Sequence, residues 1–217
     1  MSSFPTLAYG TSFFDPVSKR ELHRSREGEY YVSNKSGEYY YFTREVDKNG
    51  WHQLRLLCDR NGFSIRFDYR NHLLTGATDS AGRQIRFMND ANGRIVEVQA
   101  PQAGDRYAMQ TKVRYVYDER GRMTSATDST GVEQTFSWHD TNDRIASRRF
   151  KGGHVFRFGY DKQNRCIAAE GPEGMFSYYF RYENSLTVVT DSVGAKRYYY
   201  TKVKMVFGFH VNAVSKV

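Results

Sequence analysis

An acidic residue returns along this chain at nearly fixed intervals, and that period limits what the chain can fold into more than any other feature. Asp47, Asp68, Asp90, Asp118, Asp140, Asp161 and Glu183 are separated by 21, 22, 28, 22, 21 and 22 residues. The one longer interval holds the loop-like run 99–105. A period of about 20 to 50 residues is the mark of a repeat architecture, in which each unit buries its apolar surface against the next. Three residues after the anchors stand Gly50, Asn71, Gly93, Gly121, Asp143, Asn164 and Leu186. Glycine, asparagine and aspartate tolerate left-handed backbone dihedrals, so six of these seven suit a chain reversal. At the fourth position Arg94, Arg122, Arg144 and Arg165 recur, and Leu73, Ile95, Met123, Ile145, Cys166 and Val188 stand at the fifth. Aromatic residues precede the anchors: Phe87, Tyr115, Tyr117, Phe158, Tyr160, Phe180 and Tyr182. Around Asp140 the register slips by one, with Trp138 and His139 in the aromatic and acid places.

A second turn falls between the anchors. Thr78–Gly82, Thr127–Gly131 and Thr190–Gly194 each carry Asp at the second position and Gly at the fifth, and 170–174 and 151–153 hold the same place in other units. Both kinds of turn read Asp-x-x-Gly. The aspartate side chain bonds a backbone N–H two residues on, and glycine accepts positive φ. Each unit is therefore a strand, a turn, a second strand and another turn. The strands themselves alternate with period two. Val113, Tyr115 and Tyr117 fall on one face, and Phe156, Phe158 and Tyr160 on another strand do the same.

Composition supports the strand reading. The chain of 217 residues holds 17 Tyr, 15 Phe, 17 Val and only 8 Leu, with 18 Gly and 4 Pro. Aromatic and β-branched residues favour strands. No apolar run approaches the roughly 20 residues of a membrane-spanning helix. The first ten residues lack the basic and apolar regions of a secretory signal, which leads to the expectation of a cytoplasmic protein in the producing cell. Cys58 and Cys166 are too few for a disulfide framework or a four-cysteine zinc site. The net charge of +8 is spread along the whole chain.

Tyr117–Met123 (Tyr-Asp-Glu-Arg-Gly-Arg-Met) and Tyr160–Cys166 (Tyr-Asp-Lys-Gln-Asn-Arg-Cys) are the clearest copies of the unit. They resemble the YD repeat of the Rhs family, which is shared by bacterial polymorphic toxins, the C component of Tc toxin complexes and teneurins. The resemblance is firm from residue 90 to 200 and degenerate from 30 to 89. It implies a long spiralling sheet that closes into a hollow shell around a C-terminal toxin domain. It also implies further Rhs repeats or an enclosed toxin domain as partners, and carriage by a contractile secretion system as part of a larger protein. The fold expected here is all-β, a curved antiparallel sheet of consecutive hairpins forming an open part of such a shell. Residues 1–45 are expected to be an irregular β lead-in, 46–200 the repeats and 201–217 an aberrant tail. That tail departs from the repeat pattern and contains no acidic residue, so the chain reads as a truncated fragment prone to self-association.

Chemistry is a weaker reading than architecture. Asp68, Asp90, Asp118, Asp140 and Asp161 serve better as turn anchors, with Gly93, Gly121 and Asn164, than as catalytic or metal-binding carboxylates, because one acid per repeat ladders along an edge. Arg94, Arg122, Arg144 and Arg165 are expected to stack on aromatics or pair with turn acids rather than form a phosphate row. Tyr115, Tyr117, Phe158 and Tyr160 are the repeat aromatics. The six histidines lack metal-ligand spacing, the cysteines have no activating neighbours, and no nucleophile elbow or phosphate loop is present. No catalysis and no cofactor are expected. The alternative is a module that binds carbohydrate or nucleic acid through exposed tyrosines beside Lys and Arg.

Overall fold

The structure, a computed structural model, describes residues 4–206 and 209–216. It divides into two compact units, residues 1–112 and 113–217. The first unit holds β1 (Ser12–Asp15), β2 (Arg20–Arg24), β3 (Tyr30–Asn34), β4 (Glu38–Val46), β5 (His52–Asp59), β6 (Ser64–Arg70), β7 (Leu73–Asp79), β8 (Gln84–Asn89) and β9 (Ile95–Gln102). Strand β10 (Asp105–Tyr117) crosses the boundary. The second unit continues with β11 (Met123–Asp128), β12 (Glu133–Trp138), β13 (Ile145–Arg149), β14 (Val155–Tyr160) and β15 (Cys166–Glu170). After a 3-10 turn, Pro172–Gly174, come β16 (Tyr178–Tyr182), β17 (Leu186–Asp191), β18 (Lys196–Val206) and β19 (Phe209–Lys216).

Antiparallel ladders join each strand to its successor, from β1 with β2 through β5 with β6 to β18 with β19. The expected all-β meander of consecutive hairpins is the fold observed. Three strands lie within 1–45 and a fourth, β4, runs to Val46, while residues 201–206 extend β18 and Phe209–Lys216 form β19.

Paired residues share a face of the sheet, and the registers show which side chains belong together. In the second unit Tyr115 pairs with Ala126, Phe136 with Arg148, Arg148 with Phe156, and Phe158 with Ala169. These pairs put Tyr115, Phe136, Phe156 and Phe158 on one aromatic face. The opposite face carries Ser125, Thr135, Ser147 and Arg157.

Full burial is sparse. Among the described residues only Leu7, Leu22, Val32, Ala77 and Val188 are buried apolar side chains. Leu7, Leu22 and Val32 form a small core in the first unit, with Phe4, Tyr30, Tyr40 and Phe42 packed around it. Most strand aromatics are half-buried against neighbours on their own sheet face. That distribution belongs to a sheet that stabilises itself through cross-strand pairs and not through a thick central core.

The meander has a recurring irregularity. A register shift falls at Asp68/Tyr69, Met88/Asn89, Val116/Tyr117, Ser137/Trp138 and Gly159/Tyr160. Each lies just before a turn of the main series. A bulge adds one residue to a strand and re-aims the side chains beside it.

Candidate functional site: the interlocked repeat turns

The turn at Asp118 shows how the repeated residues act. The Asp118 N–H donates to the Arg122 carbonyl at 2.9 Å, and the Gly121 N–H donates back to the Asp118 carbonyl at 2.9 Å. Gly121 has φ of +80°, so the loop is a tight reversal followed by a left-handed residue, a common three-residue hairpin connection. One carboxylate oxygen of Asp118 accepts the Arg122 N–H at 2.8 Å and the other accepts Arg122 Nε at 2.8 Å. Three bonds thus tie the ends of the turn together, and the two accepted by the carboxylate are charge-assisted.

Asp90 and Asp161 repeat this geometry. Asp90 accepts the N–H groups of Asn92 and Arg94 at 2.9 Å each, and Arg94 Nε at 2.7 Å, with Gly93 at φ +80°. Asp161 accepts from Gln163 at 3.0 Å, and from the Arg165 N–H at 2.8 Å and Nε at 2.7 Å. There Asn164 takes the left-handed place with φ +63°. The hydrogen bonds given to these carboxylates lower their pKa values. In Asp90 the Arg94 side chain is the largest cause, and in Asp118 the Arg122 N–H is. In Asp161 desolvation pulls upward and is outweighed by Arg165.

Two sequence-assigned anchors are corrected. Asp68 lies inside β6, paired with Gly76, and ion-paired to Arg66 at 3.3 Å. The reversal comes two residues later, through Asn71 and His72 at φ +50° and +64°. Tyr69 occupies the tyrosine place of that repeat, which puts Arg70 where other units carry the acid. The two-residue loop needs no aspartate cap because both central residues are already left-handed. Asp140 is likewise not the closing residue. The His139 N–H closes the turn onto the Arg144 carbonyl at 2.9 Å, consistent with the slipped register. Arg144 consequently has no acid of its own, and its buried Nε lacks a hydrogen-bond partner.

The second series of turns is built as strongly as the first. Asp79, Asp128 and Asp191 each accept the N–H groups two and four residues on, at 2.9–3.1 Å. Asp128 is also ion-paired with Lys151, 23 residues later, and that contact is the largest of the causes that lower its pKa. Asp59 makes the same turn with Gly62. It was legible as Asp-x-x-Gly, although it stands outside the main period.

Contacts between successive repeats are what the sequence did not reveal. Tyr69 donates its hydroxyl to the Leu54 carbonyl at 2.9 Å, Tyr160 to Ile145 at 3.1 Å and Tyr182 to Cys166 at 2.7 Å. Trp138 Nε1 does the same to Met123 at 2.7 Å. The reach is 15 or 16 residues each time, to a residue at or near the start of the preceding strand. A pre-turn bulge stands before Tyr69, Trp138 and Tyr160 and can re-aim the aromatic toward that carbonyl, whereas Tyr182 makes the contact from an unbroken register. Burial is the first cause raising the hydroxyl pKa of Tyr69, Tyr160 and Tyr182. The arginine of one repeat then lies over the aromatic of the next: Arg122 over Trp138 at 5.8 Å, Arg144 over Tyr160 at 5.5 Å and Arg165 over Tyr182 at 4.5 Å. Arg120 adds a bridge between turns, to the Asp140 carbonyl at 2.9 Å and the Asp143 carboxylate at 3.1 Å.

The chemical capacity of this arrangement is structural. The clamp carboxylates are engaged in their own turns, so none is poised to take a proton from a substrate. Among the described residues no three His, Cys, Asp or Glu side chains gather to hold a metal. Cys58 and Cys166 are free thiols, and the Cys166 thiol contacts the Ala168 carbonyl at 3.3 Å. No helix among the described residues is long and apolar enough to cross a membrane.

Comparison with known proteins places this architecture. The chain is 26% identical over 182 residues to a double-stranded DNA deaminase toxin A of Burkholderia cenocepacia, covering 80% of this chain and 12% of that protein. It is 24% identical over 165 residues to teneurin-3 of Danio rerio, covering 75% of this chain and 6% of that protein. The chain therefore spans a small part of these relatives. In fold it is similar to the crystal structures of TcdB2-TccC3-TEV and TcdB2-TccC3-Cdc42, with TM-scores of 0.52 and 0.53 at 10% and 11% identity. Each covers 89% of this chain and 13% of the other. The teneurin YD-shell family matches residues 23–206, and with its aromatic–acid turns and their repeat-to-repeat ties the chain belongs to that family.

Proposed function

We propose that this chain is a wall segment of an Rhs-type toxin shell, with no catalysis of its own, and that the whole wall encloses a toxin cargo. In this reading the chain is a truncated piece of a larger protein. It is made in the cytoplasm of the producing cell and exported by a contractile secretion system. The observation that carries the reading is the repeat-to-repeat interlock. The hydroxyls of Tyr69, Tyr160 and Tyr182, the Trp138 indole N–H and the guanidinium groups of Arg122, Arg144 and Arg165 contact the neighbouring repeat, so a repeat is complete only beside another. Sparse full burial points the same way. A sheet with half-buried aromatics on one face suits a wall lined by further repeats or by cargo.

Sedimentation of the purified chain over a wide concentration range tests the proposal. A wall segment without neighbouring repeats should associate reversibly, because strand edges and aromatic faces template contacts with other chains. A monodisperse monomer at the highest concentration would favour a self-contained binding module.

A further inference from the structure

One face of β18 carries a pattern that the wall role does not use. Alternate residues of a strand share a face, and here they are Lys196, Tyr198, Tyr200 and Lys202, all exposed. Tyr198 is 43% and Tyr200 40% exposed. The ladder from β18 to β17 pairs Tyr198 with Val188, and the ladder from β17 to β16 pairs Val188 with Arg181. Arg181 and its strand neighbour Tyr179 therefore share this face with the lysines and tyrosines, around a Val188 that is 3% exposed. Tyr179 is 43% exposed.

We propose that this tyrosine–lysine platform binds single-stranded nucleic acid. The charge of the segment favours a polyanion. From Ser192 to Val217 the sequence has five Lys or Arg and no Asp or Glu. Two carboxylates border the platform: Glu183 is ion-paired to Arg181 at 3.1 Å, and Glu170 accepts the Tyr179 hydroxyl at 3.3 Å. Lys196 and Lys202 have no acidic partner among the described residues. The rings favour a polyanion with unstacked bases. Side chains two residues apart on a strand stand about 6.6 Å from one another, and a ring as exposed as that of Tyr198, at 43%, offers a base a surface to stack on. Aromatics on an open antiparallel sheet, flanked by cations, are a recurring way to hold single strands. A duplex, with its bases stacked inside, would meet only the lysines.

Fluorescence polarisation with a labelled oligothymidylate and the full chain tests this at low and at physiological salt. Saturable binding that weakens steeply with salt is expected. The double variant Tyr198→Ala/Tyr200→Ala should lose at least about ten-fold in affinity, in keeping with base–aromatic stacking. Tyr198→Phe/Tyr200→Phe should bind like the parent, since the rings remain. Lys196→Ala/Lys202→Ala should bind more weakly and show a shallower salt slope, and Lys48→Ala, in the turn between β4 and β5, should change nothing. Thermal unfolding of each variant confirms that the comparison is between folded chains. Three outcomes would overturn the proposal: no saturable binding at low salt, equal loss in the Lys48→Ala control, or tighter binding of duplex DNA or a sulfated glycan than of the single strand. None of them depends on whether the chain associates with itself.

Discussion

At the residue scale the turn clamp divides its work between a carboxylate and a residue without a Cβ penalty. Gly121 sits at φ +80° and Gly93 at the same angle. A β-branched side chain is poorly tolerated there, so Gly121→Val should destabilise the chain by more than about 1 kcal/mol in chemical denaturation. An unchanged midpoint would mean that the turn is not held in that conformation. The aspartate contributes through its charge. Asp90, Asp118 and Asp161 have folded pKa values below the ordinary carboxylate value. A depressed folded pKa gives stability that is present above the unfolded value, about 3.9, and is lost as pH falls through the folded one. Asp118→Asn should therefore melt below the parent at neutral pH, and the gap between them should close as the pH drops well under about 4. A gap that persists in acid would assign the effect to shape and not to charge.

At the element scale the recurring feature is the strand-end aromatic that reaches the preceding strand. The bulge before Tyr160 lets its hydroxyl reach the Ile145 carbonyl at 3.1 Å while its ring meets Arg144 and, edge-on at 5.6 Å, His139. Tyr160→Phe keeps the ring and removes the hydrogen bond, so it should cost about 1 kcal/mol. Tyr160→Ala should cost clearly more, because the ring contacts go too. Equal losses would place the whole effect in the hydroxyl hydrogen bond and none in the ring. These elements also show what could be read from sequence. Asp118 and Gly121 were legible because an aspartate cap and a left-handed glycine act within five residues. Asp68 misled because its repeat uses a two-residue turn through Asn71 and His72, and spacing alone does not distinguish that from the three-residue turn. The reach of Tyr69, Tyr160 and Tyr182 to carbonyls 15 or 16 residues back was invisible for a different reason. A backbone carbonyl has no residue identity, so its partner leaves no signature at the accepting end.

At the scale of the whole molecule, repeat arrays draw stability from nearest-neighbour interfaces. The chain matches the YD-shell family over residues 23–206, yet it spans only 12% and 6% of the two curated relatives compared. Its few buried apolar residues fit a piece of shell wall, in which each repeat packs against its neighbours. The most direct test is an electron cryo-microscopy reconstruction of the polypeptide produced from the complete natural reading frame in which this sequence lies. The account predicts that residues 23–206 form consecutive hairpins in the wall of a hollow β-shell, paired at their ends with further repeats and surrounding density for an enclosed domain. A reconstruction in which the same residues stand as a separate module, with no repeats beside them and nothing enclosed, would contradict it.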